Sequence, residues 1–115
     1  MSSEYVDVES ALARVRGKTA LYRRMLDMLL QSEEFTNLDT YLNEKEYSKA
    51  AETAHAIKGM TGNLSLTRLY EDSTTLLQEL RQGEPSAETL EKYRSSLEKT
   101  FLSIKEVIAR LDQNP

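Results

Sequence analysis

Apolar residues recur at three- and four-residue intervals through almost the whole chain, and nowhere do they alternate with the period of two that a half-buried strand requires. A chain patterned this way must build its core from helices. Asp7 can cap a short first helix reaching about Val15, with Gly17 as its left-handed stop. Thr19 can cap a long second helix carrying Leu21, Tyr22, Met25, Met28, Leu29, Phe35, Leu38 and Leu42 as its stripe, with room for a break near Ser32. A polar turn at 43–46 precedes a third helix, whose stripe of Ala50, Ala54, Ile57, Thr61 and Leu64 is made mostly of small residues.

A fourth helix is expected from about Thr67 to Gln82, with Leu69, Leu76, Leu77 and Leu80 facing inward. Gly83 ends it, and Pro85 prevents its continuation. Ser86 or a neighbour opens the last helix, striped by Leu90, Tyr93, Leu97, Phe101, Ile104, Ile108 and Leu111. Four substantial helices with short connections predict an all-α fold: an antiparallel up-down four-helix bundle with a short additional N-terminal helix across one end. The 115 residues suit one domain over 1–115, long enough for a core and too short for two.

Composition narrows the function classes. Without cysteine, disulfides and thiolate metal sites are excluded, and a reducing compartment fits. The start MSSEYVDVES lacks an apolar segment, and no apolar run is long enough for a bilayer, so a cytoplasmic location away from membranes is expected. The net charge of −4 argues against nucleic acid. Residues 14–24 nevertheless hold Arg14, Arg16, Lys18, Arg23 and Arg24 with no acid, which leaves −9 for the rest of the chain. That run reads either as solvated helix ends or as a patch that steers an acidic partner.

The third helix carries the most informative stretch, AHAIKGMTGN at 54–63, with the only histidine, His55, and two glycines. A glycine inside a helix costs about 0.5–1 kcal/mol relative to alanine. The helical neighbours of His55 are Ala51, Lys58, Gly59 and Gly62. Three of these leave the surface around the imidazole clear for another protein's backbone, and Lys58 can reach a negative group attached to the ring. Phosphorylation of a histidine needs that arrangement, because neutral imidazole is a nucleophile and a phosphoryl group on it gains from a nearby ammonium. Alternatively, the glycines mark close helix packing.

The segment AHAIKGMTGNLSLTRL resembles the signature of histidine-containing phosphotransfer (HPt) domains, approximately H-x-L-K-G-x-x-G-N-L-G. His55, Lys58, Gly59, Gly62, Asn63 and Leu64 match it, and Ile57 replaces leucine. Upstream, ALARVRGKTALYRRMLDML is similar to the family's entry into its long second helix. Ser65 departs from the pattern, standing where the family often has glycine. The resemblance implies a helical bundle that accepts phosphate on His55 from an aspartyl-phosphate receiver domain and passes it to another. Lys58 would stabilise the phosphate, with Ala51, Gly59, Gly62 and Asn63 in the docking face. It further implies partners among the receiver domains of hybrid sensor kinases and response regulators. The receiver, not this chain, would supply the acidic pocket and Mg²⁺.

Other chemistry finds little support. One histidine without cysteine leaves no metal-ligand set, and no calcium-loop spacing is present. No nucleotide-binding glycine loop occurs, so the chain is expected to bind no cofactor and to be a phosphoryl carrier without ATP-dependent kinase activity. Two alternatives remain: a non-catalytic helical adaptor docking a signalling partner through the same face, and a kinase dimerisation hairpin. A monomer, which the four expected helices favour, argues against the second.

Overall fold

The computed structural model describes residues 2–113, which form six α-helices and no strand. These are α1 (Val8–Arg14), α2 (Thr19–Leu30), α3 (Glu34–Asn43), α4 (Tyr47–Asn63), α5 (Thr67–Leu80) and α6 (Ala87–Gln113). Helix α4 packs on α3 and α5, α5 packs on α6, and α6 returns to α2, so the core lies inside a helical bundle. At about 1.5 Å per residue the 27-residue α6 is roughly 40 Å long, close to the 45 Å long axis of the molecule.

The short first helix is capped as its sequence predicts, with the Asp7 carboxylate accepting the Ser10 N–H at 3.2 Å. It stops through two left-handed residues, Arg16 (φ 55°) and Gly17 (φ 74°), and the Gly17 N–H returns to the Leu12 carbonyl at 2.8 Å. Thr19 does not cap α2. Lys18 holds the N-cap position, and the Thr19 hydroxyl donates backward to the Gly17 carbonyl at 3.4 Å. The left-handed turn at Gly17 places Thr19 one residue inside the helix, where its side chain cannot reach forward.

The expected long second helix is two helices. The break falls at Ser32, whose hydroxyl accepts the Glu34 N–H at 3.2 Å and so restarts the chain as α3. The core-facing line of α2 is Tyr22, Leu26 and Leu29, not the Leu21, Met25 and Met28 also offered by the spacing. Leu26 is fully buried, while Met28 is 65% exposed. Both lines satisfy the three–four rule, and only the packing partners select between them.

In α4 the expected stripe is the buried one, Ala50, Ala54, Ile57, Thr61 and Leu64. Its small side chains let neighbouring helices approach, and the Thr61 hydroxyl is satisfied by the Ile57 carbonyl at 2.9 Å. The four leucines predicted to face inward from α5 are all buried. Gly83, at φ 138°, ends that helix region, and the Ser86 hydroxyl opens α6 by accepting the Thr89 N–H at 3.1 Å. On α6 the central buried line runs Thr89, Tyr93, Ser96, Thr100, Ile104, Val107 and Leu111. Leu90, Leu97, Phe101 and Ile108 flank it, and Phe101 meets Phe35 edge-to-face at 5.2 Å.

Candidate functional site

His55 sits at the middle of α4, on the side opposite Ile57 and Leu64. At about 100° per residue, Gly59 and Gly62 lie within roughly 40° of it around the helix, Ala51 about 40° and Lys58 about 60° to one side, and Asn63 about 80° to the other. The exposed strip is Glu52, His55, Ala56, Gly59 and Asn63, with Ala51, Lys58 and Gly62 half-buried along its edge. Among the described residues neither the His55 ring nor the Lys58 ammonium has a hydrogen bond or ion pair with another side chain. A group that stabilises nothing internally and stands on a cleared surface is available to another molecule.

The two glycines differ in what surrounds them. A Cβ placed at Gly59 meets no atom within 4 Å, so that position is open to solvent. A Cβ at Gly62 would come within 3.1 Å of Tyr70 Cε1 and 3.2 Å of Cδ1. Gly62 is therefore small because the α5 tyrosine lies across it, in addition to any docking role. The packing alternative holds at Gly62 and fails at Gly59.

The end of α4 is held by residues that no spacing rule identified. Arg14, from the end of α1, donates through Nη1 to the Gly62 carbonyl, a charge-assisted bond that adds to the Ser65 N–H this last-turn carbonyl accepts at 3.2 Å. Ser65 follows in the left-handed conformation (φ 56°), which explains why glycine suits this position in the signature. Its hydroxyl donates to Ser10 Oγ at 3.2 Å, and its carbonyl accepts the Asp7 N–H at 3.0 Å. Those two bonds strap α1 onto the turn after the histidine helix.

The cationic run is divided by these contacts. Arg23 pairs with Asp112 of α6 at 2.7 and 3.1 Å, which holds the Asp112 carboxyl below its ordinary range. Arg14 is committed to Gly62. Arg16, Lys18 and Arg24 remain exposed without a partner among the described residues. An apolar groove between α2 and α4 lies beside the histidine strip and shares Asn63 with it.

Among the described residues no three His, Cys, Asp or Glu side chains converge on a common point, and no helix is long and apolar enough to cross a membrane. The model of one protein family, the Hpt domain, matches residues 24–114, nearly the whole chain. No curated protein and no solved structure matches it.

Proposed function

Because the chain belongs to the Hpt domain family, whose members carry out phosphotransfer in two-component signalling through receiver domains, we propose that it is a phosphorelay intermediate. In this reading His55 takes a phosphoryl group from the aspartyl-phosphate of one receiver and gives it to the aspartate of another. The observation that carries it is the exposed, unpartnered His55 beside open space at Gly59.

The chemistry follows from that placement. A lone pair of the neutral imidazole attacks phosphorus, forming the P–N bond as the acyl P–O bond breaks. The released carboxylate stays on the donor receiver, and the ring gives up its other nitrogen's proton to solvent. The reverse attack, by a second receiver's carboxylate on phosphohistidine, completes the relay. The Lys58 ammonium, one turn along the same side, offsets the charge on the transferred group. Mg²⁺ is assigned to the receiver's acidic pocket, where it would neutralise charge on the phosphoryl oxygens. Ala51, Gly59, Gly62 and Asn63 form the face against which the partner's backbone rests. Four long helices in up-down order, acting as a cytoplasmic monomer, complete the proposal; the sequence of packed neighbours from α3 and α4 through α5 and α6 to α2 supports that order.

The decisive experiment is incubation with a phosphorylated receiver domain. Acid-labile, base-stable phosphate should appear on the chain and be absent from His55→Gln. A chain that binds the receiver but never acquires phosphate is an adaptor, and the proposal is then wrong.

A further inference from the structure

All three methionines among the described residues line one groove. Met25 and Met28 come from α2 and Met60 from α4, with Leu29, Leu64 and Asn63 beside them. Met28 is the most exposed large hydrophobic residue of the described chain, and Met25 and Met60 are half-buried. Packing alone does not require sulfur here, since leucine fills comparable positions elsewhere in this bundle. Three thioethers at one solvent-open place instead concentrate all the oxidisable sulfur of the described residues in one groove.

We propose that this groove is a reversible oxidation site, where a peroxide converts the thioethers to sulfoxides and thereby blocks the receiver. The inference rests on the phosphorelay reading. A sulfur lone pair attacks one peroxide oxygen; the S–O bond forms and the O–O bond breaks. The sulfur loses two electrons and the peroxide leaves as water. Return requires a dithiol reductant, which becomes a disulfide while the sulfoxide oxygen departs as water.

The geometry links oxidation to transfer. Met60 lies five residues beyond His55, about 7.5 Å along the helix axis and about 140° around it, and Asn63 about 12 Å along and about 80° around, so the groove meets the histidine strip through Asn63. A standard interface covers about 800 Å² per partner, a disc of roughly 16 Å radius. A receiver centred on His55 therefore extends past Asn63 to the rim of the groove, where Met28 is the exposed thioether. In the thioether form the groove offers apolar, adaptable surface. Each sulfoxide adds a strong dipole that needs hydrogen-bond partners, which an apolar partner surface does not supply.

The three sulfurs should not react alike. Met28, 65% exposed, is the most accessible. Met60 Sδ accepts a hydrogen bond from the Ser32 hydroxyl at 3.9 Å, which occupies a lone pair and lowers its nucleophilicity. Oxidation should begin at Met28 and reach Met60 last.

The test treats the whole chain with hydrogen peroxide, removes the peroxide, and then supplies phosphorylated receiver. Among Met25, Met28 and Met60, peptide mass mapping should place the first added oxygen on Met28. Phosphoryl transfer should fall about tenfold, as expected when one well-buried methionine contact is lost. Methionine sulfoxide reductases of both stereospecificities should restore the rate. A Met25→Leu, Met28→Leu, Met60→Leu variant, compared only with itself, should transfer equally before and after peroxide. Undiminished transfer by the oxidised chain, or a peroxide loss that persists in the leucine variant, overturns the inference. Untreated chain that takes no phosphate refutes the phosphorelay reading instead. In that case the mass map still decides the oxidation site, which fails if Met25 or Met60 reacts before Met28.

Discussion

Gly59→Gln separates fold from function at a single atom position. Glycine lies about 1 kcal/mol below alanine in helix propensity and glutamine only a few tenths below, so the exchange should stabilise α4 by about 0.5 kcal/mol. Nothing opposes that gain, because a Cβ at Gly59 meets no atom within 4 Å. For a domain of this size the melting temperature should rise by about 2–3 °C. The same side chain is rooted about 5–6 Å from the His55 Cβ, near enough to lie over the ring. Displacing a reacting group by about 1 Å can cost on the order of a hundredfold in rate, so transfer should fall at least that far. Thermal melts and receiver phosphotransfer on one purified variant measure both quantities. Gly59→Ala should stabilise α4 by about 1 kcal/mol, more than glutamine does, while slowing transfer less. A lowered melting temperature would refute the open-face reasoning, since overpacking an interior position costs about 1–3 kcal/mol. Transfer at the wild-type rate would equally remove Gly59 from the docking face.

Lys58→Ala should leave the melting temperature nearly unchanged, because Lys58 has no internal partner, while slowing transfer or shortening the phosphohistidine lifetime. Kinetics unchanged in both directions would exclude it from the site. Ser65→Ala should be less stable than Ser65→Gly by about 1 kcal/mol in urea denaturation, because both lose the bond to Ser10 but only alanine keeps the left-handed strain. Glu79 accepts bonds from the Ser86 N–H and the Thr89 hydroxyl, which hold its pKa below the ordinary 4.5. The unfolded chain thus binds that proton first as pH falls, so the contribution of Glu79 is present above about pH 4.5 and is lost as pH drops through its lowered folded value. Wild type and Glu79→Gln should differ in denaturant midpoint at pH 7, and the gap should narrow as pH falls below 4.5; a constant gap would show that the bonds do not depend on ionisation.

The sequence by itself determined that the chain is helical, where most helices begin and end, and which residues share a face with its single histidine. Those features are local: periodicity, caps at Asp7 and Ser86, stops at Gly17 and Gly83, and the spacing of His55, Lys58 and Gly59 along one turn. Each depends on residues within a few positions of one another. What only the tertiary structure decided involves residues far apart in the chain. The stripe read from the sequence took Met25 and left out Leu26, yet Leu26 is the buried core residue of α2, because both lines have the same period and only the facing helices distinguish them. Gly62 carried the same sequence signal as Gly59, yet Tyr70 of the next helix covers one and nothing covers the other. Arg14 was visible as part of a cationic run, but its bond to the Gly62 carbonyl spans 48 positions. The same holds for the methionine groove, where two helices contribute sulfurs to one surface. A helix's own hydrogen bonds fix which residues share its face, whereas which face meets a neighbour depends on shape and burial summed over the whole bundle.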